Sequence, residues 1–200
     1  MREILDGVFI WSRLSEPHGY DFNGHFFRHR DGNLVIDPIE PEAGDLEQLM
    51  SEGVARVLIT NRNHSRAANT VRDATGARTA IHPLDAGHAR AQGCVIEDPL
   101  THGEVIGPLV VTPAAGKSLG EVAFHWPSHR ILVIGDAVIG NPPGRCSLLP
   151  EAKLDDPPRL RESLRALLEL DFDCLLVGDG TPILSEAKAR LEQLVATFPD

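Results

Sequence analysis

The chain has 200 residues, 42% of them apolar and 24% charged, with a formal net charge of −10. That length and balance suit a soluble globular protein able to bury one sizeable core, so we expect a single domain over 1–200. The acidity excludes a nucleic-acid or anionic-membrane partner as the general reading, since a polyanion would be repelled on average.

The first fourteen residues, MREILDGVFIWSRL, lack both a long apolar stretch and a small-residue cleavage site, so no secretory leader is expected. No apolar run approaches a membrane span. Three cysteines, Cys94, Cys146 and Cys174, are odd in number, widely spaced and without a CxxC. They point to reduced thiols and a cytoplasmic location. Arg28-His29-Arg30 is a short basic cluster beside Asp31 and reads as a solvated turn.

In chain order, strands are predicted at 7–12, 22–29 and 34–38, with Gly32-Asn33 turning the chain into LVIDP. Leu46, Leu49 and Met50 give helical spacing over 42–52, stopped by Gly53. A buried strand follows at 54–60, then a helix at 65–75 ended by Gly76. Further strands are predicted at 78–82, 94–97, 108–112, 121–126 and 131–136. Leu160, Leu164, Leu167 and Leu168 mark a helix over 157–170, followed by a strand at 174–180 and a helix at 185–196. Residues 141–158 form one long irregular stretch, the kind of loop that often carries function. The alternation predicts a layered α/β fold with mixed sheets.

AAGKS (114–118) hints at a phosphate loop, but Val111 stands where the leading glycine is required. His18, His25, His82, His88, His102, His125 and His129 show no HxH or HExxH spacing, so most are read as surface residues. Tyr20-Asp21-Phe22-Asn23-Gly24 has two readings, a simple hairpin or the lining of a site mouth.

Five segments, read in order, resemble the metallo-β-lactamase superfamily and especially its glyoxalase II-like hydrolases. NLVIDP ends in Asp37, where that family has an Asp after an early strand. VLITNRNHSRAANTVRDATGARTAIHP resembles the strand, HxHxDH loop and helix that hold most of its metal ligands. GKSLGEVAFHWPSHRILVIGDAV is similar to the stretch with a ligand His, a hairpin and a metal-bridging Asp, and LLVGDG to the last strand and its GHG-like turn. The resemblance implies an αββα sandwich of two mixed sheets with outer helices, and a site along one sheet edge.

It also implies a zinc site, and here the sequence departs. The HxHxDH loop reads Asn61, Arg62, Asn63, His64, Ser65, Arg66. Lys117 falls at the third-His position; an alternative placement from Thr112-Pro113 puts Ala115 there, but Lys117 needs no insertion before Gly120. Asp136 keeps the bridging carboxylate, and Asp179 replaces the last His. Of seven ligand positions one is unchanged and one other keeps a ligand type. Asn binds zinc poorly, and protonated Lys and Arg do not bind it.

No metal and no other cofactor is therefore expected, with a hard-cation site of Asp136, Asp179, Asn61 and Asn63 oxygens as the alternative. His64 reads as a surface or supporting residue, or, if it turns inward, as a general base. Asp37 reads as a brace for the 61–66 loop. The expected catalytic set is Asp136, Asp179, His64, Arg66 and Lys117, with Asn61, Asn63, Asn23 and Asp37 binding a small-molecule substrate. The cations are expected to take the metal's place, Arg66 reaching Asp136 or Asp179 and Lys117 reaching Asn61, Asn63 or Asp136. Three functions remain in view: a metal-independent hydrolase-like protein acting on a small ester, thioester or lactone; a non-catalytic binder of an anionic metabolite or partner protein; and a conventional metal hydrolase.

Overall fold

A computed structural model describes residues 1–199. The chain divides into two compact units, one ending at Leu100 and one beginning at Thr101. Each carries its own sheet.

The first unit holds a seven-stranded sheet in sequential order: β1 (Arg2–Leu5), β2 (Val8–Ser15), β3 (Tyr20–Phe27), β4 (Leu34–Ile36), β5 (Arg56–Ile59), β6 (Arg78–Ile81) and β7 (Asp98–Pro99). Strands β1 to β4 are antiparallel; β4 to β7 are parallel and joined through helices. Those helices are α1 (Ala43–Glu52), α2 (Ala68–Thr75) and α3 (Pro83–Ala91). Helix α1 stops at Gly53 and α2 at Gly76, both at positive φ, where glycine has no Cβ to clash. Phe9, Trp11, Phe26, Val35, Leu49, Val57, Ile59 and Val71 form one buried cluster. Gly24 is required beneath it, because a Cβ there would lie 2.4 Å from the Trp11 ring. The Trp11 indole donates to the Ile39 carbonyl at 3.0 Å, so its one polar atom is satisfied.

The second unit holds a five-stranded sheet of β8 (Val105–Ile106), β9 (Leu109–Pro113), β10 (Val122–Trp126), β11 (Ile131–Ile134) and β12 (Cys174–Val177), in the order β12-β11-β10-β9-β8. All pairs are antiparallel except β11 with β12. Helix α4 (Pro157–Leu167) is capped by Asp156, whose side chain accepts the Arg159 N–H at 2.9 Å. It buries Leu160, Leu164 and Leu167 into a cluster with Leu132, Ile134, Phe172, Leu175 and Leu191, the last from α5 (Ala187–Val195). Among the described residues no helix is long and apolar enough to cross a membrane.

Several expected elements change. The 94–97 strand is absent: Cys94–Glu97 is irregular, and the Glu97 carboxylate takes the Thr79 N–H at 2.6 Å before pairing begins at Asp98. The helix expected from 65 starts at Ala68, because the backbone of 61–65 is spent on turns, with His64 N–H on Asn61 and Ala68 N–H on Ser65. Helix α3 had no sequence forecast. Its buried residues are only Asp85, Ala86 and Ala89, too small to give an apolar stripe. Two histidines read as surface residues are buried, His25 at 0% exposure and His125 at 7%.

Candidate functional site

In the first unit, Asp37 lies just beyond β4 at φ 49°, a left-handed conformation rare for a non-glycine residue. Its carboxylate holds three donors. It accepts the Thr60 N–H at 2.8 Å, the Thr60 hydroxyl at 2.6 Å, and His64 Nδ1 at 2.7 Å. His64 is fully buried, which overturns its reading as a surface residue. Its other nitrogen, Nε2, lies 2.9 Å from the Arg66 guanidinium. Arginine only donates, so Nε2 accepts, and Nδ1 must carry the proton that goes to Asp37. The result is a neutral imidazole of fixed tautomer, held between a carboxylate and a cation. Arg66 in turn stacks over Phe22 of β3, 4.2 Å from the ring centre.

The loop that carries His64 is held from both ends of α3. Buried Asp85 in its first turn accepts the Arg62 N–H at 2.8 Å, and Gln92 past its last turn takes the Ser65 hydroxyl at 3.2 Å. Asn61 is buried and turned into the loop, with Oδ1 accepting the Asn63 N–H at 2.9 Å. Asn63 is exposed. Asn23, 1% exposed, accepts the Ser12 hydroxyl at 2.7 Å across β2 and β3.

In the second unit, the parallel register of β11 with β12 sets Ile134 beside Val177, so residues two positions beyond each strand are also neighbours. Those are Asp136 and Asp179, both 5% exposed, with carboxylate oxygens within 4.8 Å of each other. Gly140 and Gly180, bridged to each other, fix this arrangement. Gly140 N–H donates to the Asp179 carbonyl at 2.9 Å, and a Cβ on Gly140 would lie 2.1 Å from the Thr181 carbonyl oxygen. Two carboxylates that close repel unless a cation or proton joins them. Lys117 supplies the cation, its ammonium ion-paired with Asp136 Oδ2 and its side chain 8% exposed.

The Lys117 turn is itself clamped. Gly116 adopts φ 142° against the Leu160 backbone, where a Cβ would come within 2.3 Å. Asp156 N–H donates to the Gly116 carbonyl at 2.8 Å, and the Ser163 hydroxyl donates to Ala115 at 2.7 Å. The end of the long 141–158 stretch therefore fastens Lys117 in place. Buried Glu121 accepts the Ala137 N–H at 2.9 Å and holds the backbone next to Asp136.

Sequence reasoning missed His25, Asp85 and Glu121. His25 lies on β3 opposite Ile36, the residue before Asp37, and is influenced electrostatically by Asp37, His64 and Arg66. Its ring is held well below the ordinary imidazole value, at about 4, chiefly because burial disfavours the charged form. A His alternating with apolar residues on a strand carries no spacing signal. The three thiols are buried and raised by burial, Cys146 to about 12, so none is an activated nucleophile.

Comparison with known proteins agrees with this architecture. A search of curated proteins returns no match. Among solved structures, the di-iron-bound form of TTHA1623 is 24% identical, covering 92% of this chain and 98% of its own at a TM-score of 0.71. A metallo-beta-lactamase from Erythrobacter litoralis with beta-mercaptoethanol in its active site is 17% identical, covering 98% and 96% at 0.76. The mono-zinc form of FIM-1 from Pseudomonas aeruginosa is 18% identical, covering 98% and 95% at 0.77. At these identities the likeness concerns the fold, a pair of mixed sheets with helices, here of seven and five strands. The family profile described as the metallo-beta-lactamase superfamily matches residues 4–198, nearly the whole chain, and the chain accordingly belongs to that superfamily.

Proposed function

We propose that this chain works as one domain and is a metal-independent hydrolase of small esters, thioesters or lactones, with His64 as general base. The observation that carries the reading is the Asp37–His64 pair at 2.7 Å, a base oriented by a carboxylate that fixes its tautomer. His64 Nε2 takes a proton from water, and the water oxygen adds to the carbonyl carbon. Arg66 leaves Nε2 for the developing oxyanion, which frees the base and stabilises the charge in one movement. The His64 imidazolium gives that proton to the departing alkoxide or thiolate as the bond to the carbonyl carbon breaks, which releases the acid and the alcohol or thiol and restores the neutral base. In the second unit Lys117, held on Asp136, is a preset cation for the substrate, and Asp179 a second candidate to activate water. Asn23, Asn61 and Asn63 are proposed as substrate-binding groups, and likeness to glyoxalase II-like hydrolases supports the acyl substrate class.

The residues at the family's ligand positions do not suit zinc. Asn61 and Asn63 are weak ligands, with Asn61 Oδ1 already accepting the Asn63 N–H, and Lys117 and Arg66 stand at two further ligand positions. A zinc ligand must offer a free lone pair, and protonated Lys and Arg have none.

A second reading has its own support. Arg66 on Nε2 occupies the lone pair that a base needs, which favours a non-catalytic binder of an anionic metabolite or partner protein. EDTA-treated protein assayed on chromogenic esters, a thioester and a lactone separates the two. Turnover that falls at least about 100-fold in His64→Gln supports catalysis, in line with the usual contribution of a general base. No turnover of any substrate by the wild type rejects it in favour of the binder.

A further inference from the structure

His25 is buried at 0% exposure, and neither ring nitrogen has a hydrogen-bond partner among the described residues. A polar side chain left this way costs stability, and native proteins rarely keep one without a reason. An apolar residue would suit the position better on packing grounds, since its cross-strand neighbours are Ile10 and Ile36.

The location supplies the reason. Alternation along β3 turns Phe22, Gly24 and Phe26 to the helix-covered core, where Phe26 is buried and Gly24 lies under Trp11. Asn23 and His25 therefore share the opposite face, and both are buried polar residues. The ionisable groups that influence His25 are Asp37, His64 and Arg66, which are the groups of the dyad.

We propose that His25 is a substrate-binding, specificity-determining residue whose ring hydrogen-bonds a neutral polar group, a hydroxyl or an amide, on the acyl part of the substrate. This rests on the hydrolase reading above. A neutral imidazole offers one donor and one acceptor, so it matches a group that can both give and take a hydrogen bond. A carboxylate would seek a cation instead, and Arg66 is the cation at hand. A site built to bond a polar group discriminates strongly against analogues that lack it, because its own groups are then left unpaired.

The test compares 4-nitrophenyl glycolate and 4-nitrophenyl N-acetylglycinate, which carry the hydroxyl and the amide, with 4-nitrophenyl acetate, which carries neither. The wild type should prefer at least one polar ester by about tenfold or more in kcat/KM. His25→Leu should reduce that preference to near unity, mainly through KM, while melting no lower than wild type. His25→Gln, which keeps a donor and an acceptor, should retain part of the preference. An unchanged preference in His25→Leu, or no preference in an active wild type, overturns the assignment. Should the wild type hydrolyse none of the three, His25 is judged by binding alone, and the hydrolase reading falls only if the thioester and the lactone also go unhydrolysed. Glycolamide titrated into histidine-¹⁵N-labelled protein should then shift the His25 ring nitrogens, and unmoved signals would reject the proposal.

Discussion

Asp37 and Asp136 are both buried carboxylates just beyond a sheet strand, yet they are satisfied in different ways. Asp37 is held by neutral donors: a backbone N–H, a hydroxyl and an imidazole. Asp136 is held by an ammonium, with a second carboxylate, Asp179, within 4.8 Å. The cation of the first unit, Arg66, rests on the imidazole rather than on Asp37. A cation thus meets the Asp136 charge directly, whereas an imidazole stands between Asp37 and its cation. The two arrangements should fail by different amounts and under different conditions.

The largest effect should come from Lys117→Ala. Removing it leaves two nearly buried carboxylates facing each other, and breaking such a pair costs roughly 3–5 kcal/mol. Urea unfolding should show that loss, and Asp136→Asn in the same chain should recover much of it. Stability unchanged from wild type would mean that the pair contributes nothing.

Acid should find the first unit next. The His25 pKa drops from 6.5 in the unfolded chain to about 4 in the fold. Between those values the unfolded state takes up a proton that the folded state refuses, so stability is complete above pH 6.5 and declines as pH falls towards 4. The full loss is about 3 kcal/mol. Melting temperature against pH should decline over that window in the wild type and more gently in His25→Leu.

Asp37→Asn should cost less, about 1–3 kcal/mol, by setting an amide N–H against one of the donors that Asp37 now accepts. Stability equal to wild type would show the three bonds to be dispensable. The smallest effect belongs to Asp98 at the sheet edge, held at about 2 chiefly by its hydrogen bonds to Arg78. Arg78 is well exposed, so Asp98→Asn should cost under about 1 kcal/mol and matter less in high salt. A larger loss that persists in high salt would mark the Asp98 cluster as more than a solvated ion pair.

The sequence made the strands and long helices legible, because Leu160, Leu164 and Leu167 or VLI at 57–59 bury a regular apolar pattern. It made the order of the site segments legible too, through the strand-end positions of Asp37, Asp136 and Asp179. Helix α3 stayed hidden because it packs alanines and an aspartate, and periodicity weights large apolar residues. The inward turn of His64 depends on Asp37, 27 residues earlier, and no local spacing encodes such a bond. His25 was invisible for a related reason: on a strand, one polar residue among apolar ones looks the same whether it faces water or a site.

We propose that the chain's own cations stand at positions where its resemblance to the superfamily implies metal ligands. Zinc titration by calorimetry, with melting temperature followed in EDTA and in added zinc, tests it most directly. No stoichiometric binding heat and one melting temperature throughout are expected, since a bound metal would stabilise the fold by mass action. Tight binding of one or two equivalents, with a melting temperature that falls in EDTA and returns with zinc, would contradict it.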